Sequence, residues 1–570
     1  MNTERKTGVI LSYIQVFLNV LVNIIYVPVL LHFLGQSEYG LYQIVGSFFS
    51  YVTIFESCMS SGVLRNYCNA LGKRNQELAD ETLSTAHSIY RLMSVGMAVL
   101  GAIVIVGFRS FYASSFTESE LQESAIILGI LFCNMIATLL GSVYLTVITG
   151  QERFVFLKIS GILLQVIQPL LVIICVAKIP YAISVTAVIA GVNVINILLR
   201  RWYVRHRLDI RVHAQRQNPE VAKEILLLSS TILIGCIADQ IFWKTDQVIL
   251  GKMFNTATVA VYSVGAQIYL VYMQFGTQIP SIFYPRVSIL YQEENGNKKV
   301  SDLFVKVGRV TFMIIMLILS GFVVFGKEFL LIWVGEGYTE AYYVAIMVMI
   351  PFSIDLAQNL ALVILQVKKQ YGFRARIYLL GALINIITTV ILASYFGIIG
   401  AALSTGLSMA ITSGLIMNWY YLRRAKLDIV KFWKGASGII AVAAFMTILT
   451  LCIKRYVVRD GAGIFFLGME MVLFALIYVG VLYRFIMTPE EKKEKLKDLQ
   501  LQQKDIQNQI TQRNIELAEE ERKKTQEEIE KKLKDAVQTK SPKEEEKDAN
   551  AAKINALTTA SLAMEEVSSL

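Results

Sequence analysis

One apolar stretch of the sequence carries three charged residues close together. It reads CIADQIFWKTDQVIL over residues 236–250 and contains Asp239, Lys244 and Asp246. Asp239 and Asp246 are seven residues apart, so a helix places both carboxylates on one face, while Lys244 projects about 140° away from Asp239. Two interpretations fit. The three side chains line a cavity that contacts a headgroup or an ion, or Lys244 forms a neutralising salt bridge that lets the helix enter lipid.

Other ionisable residues lie in or beside similar apolar stretches. Glu56 lies in the middle of one such stretch, and Asp355 lies in another. Asp355 has no charged neighbour, so it could be protonated in lipid, couple transport to protons, or form part of a cavity wall. Arg65 and Arg91 lie where an anionic headgroup could enter from the cytoplasm, and arginine donates paired hydrogen bonds to phosphate. The alternative for each arginine is ordinary anchoring of a helix end by positive charge.

No pattern in the sequence predicts catalysis, a metal or a cofactor. There is no GxxxxGK[ST] phosphate loop and no GxGxxG motif after a strand, so we expect no ATP hydrolysis by this chain. The 6 cysteines and 4 histidines are scattered, which favours neither a zinc site nor a disulfide framework. Energy for any transport would come from an ion gradient of H+ or Na+, from the membrane potential, or from consumption of the product.

The composition indicates which elements must hold these residues. Hydrophobic residues make up 55% of the 570 residues, charged residues only 17%, and the mean hydropathy is +0.53. So few charges could not cover a soluble core of this size, so most of the chain must lie in a lipid bilayer. The periodicity predicts fourteen spans, over residues 9–33, 41–63, 87–108, 121–148, 154–177, 180–200, 225–250, 257–284, 303–325, 340–365, 374–395, 398–421, 433–453 and 462–486.

Positive charge sets the expected orientation. With the N-terminus in the cytoplasm, the lysines and arginines before the tail collect in the cytoplasmic loops, of which 200–216 and 423–434 are the densest. The net charge of +10 is therefore a topology signal, and we expect no nucleic acid partner. An even number of spans places the C-terminus in the cytoplasm as well.

An internal repeat divides the apolar region. RHRLDI, from Arg205, matches RAKLDI, from Arg424, at an offset of 219, and Phe154 matches Phe373 at the same offset. The repeat relates spans 5–6 to spans 11–12, and a separation of six spans gives two parallel halves. The alternative is chance similarity of two loops. The predicted domains are an N-terminal lobe, a C-terminal lobe, two further spans and a charged tail, over residues 1–216, 217–432, 433–489 and 490–570.

Several segments resemble the polysaccharide-exporter family of the MOP superfamily, which includes the Wzx-type oligosaccharide flippases. They are LGQSEYGLYQ, IFESCMSSGVLRNY, LSTAHSIY, GEGYTEAYYVAIMVMIPFSI and NIITTVILASYFGIIGAALST. The resemblance covers residues 1–486 and implies an all-α integral membrane protein. It would have about fourteen transmembrane helices in two parallel six-helix lobes plus two, a MOP/MATE-like fold. In this family an acidic residue and an Arg-x-Tyr flank the Gly/Ser-rich part of span 2, here Glu56, Arg65 and Tyr67, with glutamate replacing the more usual aspartate.

The resemblance implies a flippase, not an enzyme. Its substrate would be an undecaprenyl-diphosphate-linked oligosaccharide, moved from the cytoplasmic to the outer leaflet of a bacterial plasma membrane by alternating access. The product would be a surface polysaccharide such as O-antigen, capsule or a teichuronic-type polymer.

Three other functions are possible. The main alternative is a cation-coupled MATE-like exporter, although that group has twelve spans. A major-facilitator transporter should carry GxxxDRxGRR after span 2, where this chain has NYCNALGKRNQELADE. A membrane-bound polymerase or ligase needs a large outer loop, and none is predicted.

The tail has a different character from the rest of the chain. Residues 490–536 predict a long charged helix with a weak coiled-coil pattern, and 537–570 predict disorder. It could dock other polysaccharide-assembly proteins or form oligomers, or it could be a solvated helix with no partner.

Overall fold

A computed structural model describes residues 3–210, 218–457, 464–487 and 553–555. Within these ranges the regular structure is helical and contains no strand. The predicted boundary between the lobes at residue 216 lies outside the described residues, and so do all predictions for the tail except at 553–555.

The helices follow one another with short connections. Spans 1 and 2 share the helix Thr3–Gly72, and span 10 combines Glu340–Ala357 and Leu360–Val367. Spans 11 and 12 share Tyr371–Met409, which continues as the π-helix Ala410–Met417 and then Asn418–Arg423. The other spans, in order from span 3 to span 9, are Gln76–Tyr112, Glu118–Gly150, Phe154–Val176, Ala182–His206, Pro219–Met253, Thr256–Ile282 and Gly296–Val334. Spans 13 and 14 are Ile429–Val457 and Ile464–Val481, and the short helix Tyr284–Gln292 follows span 8.

The helices confirm the predicted number of spans. Eleven helices of the described ranges are long and apolar enough to cross a membrane, and Pro219–Met253 qualifies as a bent twelfth. Two of the eleven segments, Leu21–Gly72 within the helix Thr3–Gly72 and Tyr371–Arg423, have 52 and 53 residues. Each is roughly 80 Å long, more than twice the ~30 Å hydrocarbon core. Each of the two breaks at a glycine and therefore crosses twice, which gives fourteen spans in the described part.

Glycine backbone geometry makes both of these breaks. Gly35 has φ +72° and Gly397 has φ +59°, a left-handed region that residues with a Cβ rarely adopt. Each therefore separates two antiparallel spans without a long loop. We call the end of the bundle at Gly35 the outer end and the end where span 1 begins the inner end, which the charge pattern predicts to be cytoplasmic.

The two six-span lobes share an apolar core at the outer end. Val27 and Leu30 of span 1 pack with Val185 of span 6 in the N lobe. The same cluster includes Val264 of span 8 and Leu330 of span 9, from the C lobe. The lobes therefore meet closely on this side, and spans 13 and 14 pack against span 9.

Matching turns show the internal repeat in the backbone. Glu152 before span 5 and Lys369 before span 11 are both left-handed, with φ of +58° and +55°. After the second span of each hairpin, Asp209 and Lys426 are left-handed as well, with φ of +50° and +55°. Both pairs are separated by 217 residues, so the two helical hairpins have the same ends.

Matching aromatic stacks fix the register of this repeat. Phe156 stacks on Tyr203 at 3.8 Å between ring centroids, and Phe373 stacks on Tyr420 at 4.1 Å. These pairs also differ by 217 residues. The predicted offset of 219, which paired Phe154 with Phe373, is therefore wrong by two residues. The LDI letters of the two loops match at an offset of 219, whereas the backbone turns and the aromatic stacks match at 217.

Candidate functional site

Asp246 is the most deeply buried of the predicted site residues, with 3% of its surface exposed. Three hydroxyl groups donate hydrogen bonds to its carboxylate: Tyr262 of span 8 at 2.5 Å, Thr405 of span 12 at 2.6 Å and Thr389 of span 11 at 3.0 Å. No lysine or arginine of the described chain pairs with it. The charge of this carboxylate is therefore balanced only by hydroxyl dipoles.

A second layer of polar groups orients these hydroxyls. Asn385 donates from Nδ2 to the Thr405 hydroxyl at 3.2 Å, and its Oδ1 accepts a hydrogen bond from Ser404 at 2.8 Å. Together with Asp246, these side chains form an oxygen-rich cage inside the C lobe. Oxygen donors suit a proton on the carboxylate or a hard monovalent cation. The described residues contain no group of three His, Cys, Asp or Glu side chains that could hold a metal ion.

A second charged cluster lies in the C lobe, on span 10 and at the start of span 11. Arg374 Nη2 lies 3.7 Å from Asp355 Oδ2, and the two side chains are only 10% and 12% exposed. The guanidinium also lies 4.0 Å from the centre of the Tyr378 ring, a cation–π contact. Asp239 is exposed but within electrostatic reach of both partners. The expectation that Asp355 has no charged neighbour is wrong, because Arg374 is turned inward and does not anchor the helix end.

Lys244 behaves differently from its two neighbours on span 7. It is half-buried and makes no ion pair or hydrogen bond with any described residue. It shares a helix face with Gln247 and Gly251, three and seven residues later, which contact Ser47 and Ile44 of span 2. The structure thus contains no neutralising salt bridge between Lys244 and either aspartate, and it places Lys244 on the side of span 7 that faces the N lobe.

Glu56 belongs to a hydrogen-bonded network inside the N lobe. Its Oε1 accepts hydrogen bonds from Ser60 at 3.0 Å and from Ser142 of span 4 at 2.7 Å. Arg200 of span 6 is within electrostatic reach, and the Tyr90 hydroxyl lies 3.4 Å from Ser60. This network ties four spans of one lobe together and is separate from the two clusters of the C lobe.

The two predicted arginines of the N lobe are exposed. Arg65 borders a cavity of about 700 Å³ between spans 2 and 7, together with Asn66, Asn69 and Glu224. Arg91 lies on span 3, close to His87. The structure therefore pairs Asp355 with Arg374, leaves Asp239 within electrostatic reach of both, and leaves the other predicted site residues in separate places.

Sequence analysis missed Arg374 and the hydroxyl and amide groups around Asp246. Asn385, Thr389, Ser404 and Thr405 are all within NIITTVILASYFGIIGAALST. Polar residues at three- or four-residue spacing in two otherwise apolar spans were the available signal for a shared polar face.

Hydrogen bonds close the seam between the lobes at the outer end. The Thr256 hydroxyl at the start of span 8 lies 2.8 Å from the Ser37 hydroxyl and donates to Glu120 of span 4 at 2.8 Å. Gly40 is required here, because a Cβ would lie 1.7 Å from the Thr256 carbonyl oxygen. The site residues of span 7 therefore lie behind a closed outer seam.

Comparison with known families and structures identifies the group to which this arrangement belongs. Residues 29–343 match the family described as polysaccharide biosynthesis protein, over more than half of the chain. The chain belongs to the polysaccharide biosynthesis protein family. This confirms the family resemblance expected from the sequence.

Two named proteins are similar to the chain over part of their length. It is 24% identical over 266 residues to the probable low-salt glycan biosynthesis flippase Agl15 of Haloferax volcanii, covering 45% of this chain and 55% of that protein. It is 22% identical over 229 residues to the capsular polysaccharide biosynthesis protein CapF of Staphylococcus aureus, covering 40% and 56%. The alignments thus span about half the length of these relatives.

Solved structures confirm the fold of this family member. The lipid II flippase MurJ in an inward closed conformation matches with a TM-score of 0.64 at 14% identity, covering 84% of this chain and 98% of MurJ. An inward-facing multidrug MATE transporter of the MOP superfamily matches with a TM-score of 0.57 at 12% identity, covering 73% and 96%. At such identities the likeness shows the fold alone, which is the predicted all-helical MOP fold.

Proposed function

We propose that this protein is a flippase that moves a lipid-linked oligosaccharide from the inner to the outer leaflet of the membrane by alternating access of its two lobes. The observation that carries this proposal is Lys244, a cation with no ion pair or hydrogen bond to any described residue. It lies inside the membrane, on the side of span 7 that faces the N lobe and behind the closed outer seam. An ionised side chain near the bilayer centre costs about 2.5–3.5 kcal/mol on insertion scales. An anionic phosphate of the substrate headgroup would offset this cost when it binds.

The family and its named relatives favour a glycan substrate. The family is described by polysaccharide biosynthesis, Agl15 is named a probable glycan biosynthesis flippase, and CapF is named for capsular polysaccharide. A diphosphate headgroup on an undecaprenyl chain fits both a cationic binding group and a route through the membrane. Arg65, beside the 700 Å³ cavity, and Arg91 are proposed to attract the headgroup at the inner end.

The oxygen cage around Asp246 is the proposed site of the coupling ion. A buried carboxylate without a cationic partner needs either a proton or a cation, and three hydroxyls oriented toward it stabilise the charged form. A proton or Na+ entering this cage would neutralise the charge inside the C lobe. The proposed role of Asp246 is thus to couple the conformation of the C lobe to an ion gradient.

A cation-coupled MATE-like exporter of small molecules is the second candidate. The fold similarity to a multidrug MATE transporter favours it, since it covers 96% of that chain. Membership of a polysaccharide biosynthesis family favours the flippase instead. In both cases the chain transports and does not catalyse a covalent step, and the proposed location is a bacterial plasma membrane. Any contact with other polysaccharide-assembly proteins is proposed to involve the tail.

Removal of the protein followed by analysis of lipid-linked sugars tests the flippase. A polyprenyl-linked oligosaccharide should accumulate in the inner leaflet while the surface polymer is lost. Complementation with Lys244→Gln should restore little polymer, whereas Lys178→Gln, which removes an exposed lysine between spans 5 and 6, should restore it fully. Normal polymer and no accumulated intermediate, in a strain without a second family member, would rule the proposal out.

A further inference from the structure

Span 1 contains a proline that leaves one backbone carbonyl without its helical partner. Pro28 has no N–H, so it cannot donate to the carbonyl of Ile24, four residues earlier. The Ile24 side chain is exposed on the surface of a membrane span. A backbone group that faces hydrocarbon has no water to bond with and must find a partner within the protein.

The missing partner comes from the other lobe. Trp333, at the outer end of span 9, donates from its indole Nε1–H to the Ile24 carbonyl oxygen at 2.6 Å. The indole ring stacks on Phe329 at 5.3 Å between centroids, and both rings pack against the apolar core shared by the lobes. The ring is thus held in place on the C lobe, and its N–H reaches the one carbonyl of this turn that the proline frees.

The surroundings of this bond are largely apolar. Ile24 and Trp333 line a crevice of about 150 Å³ whose other walls are mostly apolar side chains such as Ile268 and Phe322, together with the polar Asn23 and Gln267. Since hydrocarbon offers no replacement for either partner, separating the lobes here would leave both the carbonyl and the indole N–H unsatisfied.

We infer that Trp333 latches the outer seam of the transporter through the carbonyl that Pro28 leaves free. This inference rests on the proposed alternating access of the lobes. Trp333 is a positioning residue, since it acts on the equilibrium between conformations. Outward opening breaks the bond, so the latch favours the outer-closed conformation in which the site faces the inner end.

The test measures opening of the outer seam in the full-length protein, without substrate. Spin labels at Ala113 of the N lobe and Thr339 of the C lobe, both exposed near the outer end, report the distance between lobes in nanodiscs. Trp333→Phe removes the N–H and keeps an aromatic ring. We expect it to raise the ratio of outward-open to outer-closed molecules about five- to thirtyfold, the effect of losing one desolvated hydrogen bond. Trp419→Phe, which changes an exposed tryptophan on span 12, should leave the ratio unchanged.

Repeating the test in a Pro28→Ala protein decides whether the carbonyl freed by the proline is what Trp333 acts on. Alanine supplies an N–H at position 28 that can bond to the Ile24 carbonyl within the helix, so Trp333→Phe should then change the ratio less than twofold, about the threshold of the measurement. An unchanged ratio for Trp333→Phe in the parent protein, or an equal shift in both backgrounds, would overturn the latch. A clear shift in a protein that moves no lipid-linked oligosaccharide would refute the proposed function and leave the latch standing.

Discussion

The two lobes contain the same helical hairpin, but the C-lobe hairpin supplies two hydroxyl groups to a buried carboxylate where the N-lobe hairpin has two valines. At the offset of 217 residues, Thr389 of the C lobe corresponds to Val172 of the N lobe, and Thr405 corresponds to Val188. Val172 is fully buried and belongs to the apolar core, against which Val188 packs. The turns and aromatic stacks of the two hairpins nevertheless match. The hairpin is therefore a scaffold, and the oxygen cage around Asp246 is a feature of one lobe and not of the fold.

The charged cluster at Arg374 should give the largest difference between the lobes. Arg374→Gln leaves the buried Asp355 without its cation, and removing one partner of a buried ion pair costs about 3–5 kcal/mol of folding free energy. The matching residue of the N lobe is Leu157, which carries no charge. Thermal unfolding in detergent measures the effect. Adding Asp355→Asn to Arg374→Gln should recover part of the lost stability, and equal stability of Arg374→Gln and the parent protein would show that the pair is not structural.

Changes to the oxygen cage should give the next largest effect, a loss of transport. Asp246→Asn removes the charge that a proton or Na+ would neutralise, and the protein should still fold. Ion-dependent transport should fall at least about a hundredfold, because a functional buried charge is lost. Thr389→Val and Thr405→Val should each cause a smaller loss, about tenfold, by removing one hydroxyl. Flipping in proteoliposomes at varied Na+ concentration and pH measures both.

The matched control for the cage lies in the other lobe. Val172→Thr introduces a hydroxyl at the position equivalent to Thr389, and we expect no change in the ion dependence of transport. If Asp246→Asn transports normally at every ion concentration, the oxygen cage does not couple transport to an ion. The difference between the two lobes would then not be a difference in ion binding.

The aromatic stacks should give the smallest effect, and it should be equal in the two lobes. Tyr203→Leu and Tyr420→Leu each remove one ring of a stacked pair, a loss of about 0.5–1.5 kcal/mol. Thermal unfolding should therefore shift by similar amounts for both variants, and the ion dependence should stay unchanged. A much larger shift for one of them would mean that the two hairpins are not equivalent.

The spans and the charges of span 7 could be predicted because each has a strong local signal. Fourteen apolar stretches of sufficient length identify fourteen spans, and a charged residue inside such a stretch indicates a polar site. Asp246 was found in this way. Even the internal repeat was visible, although letter matches placed it two residues away from its register in the backbone.

The partners of these charges could not be predicted, for physical reasons that differ between them. A threonine in an apolar helix commonly bonds to the carbonyl four residues earlier, as Thr412 does to Ser408, so Thr389 and Thr405 look the same in sequence whether or not they reach a carboxylate. Arg374 lies at the start of a span, where positive charge usually faces the cytoplasm. Only the packing of Tyr378 and Asp355 around it shows that it is turned inward.

The most direct test of the account is the movement of a lipid-linked oligosaccharide by the purified protein. Vesicles carrying this lipid in both leaflets are exposed to a sugar-oxidising reagent that cannot cross the membrane. With the protein present, we predict that nearly all of the lipid becomes oxidised, whereas vesicles with Asp246→Asn, like protein-free vesicles, keep their inner-leaflet pool intact. If the inner-leaflet lipid stays unoxidised in vesicles with the parent protein, and this protein exports small organic cations, the result would contradict the flippase and favour a multidrug exporter.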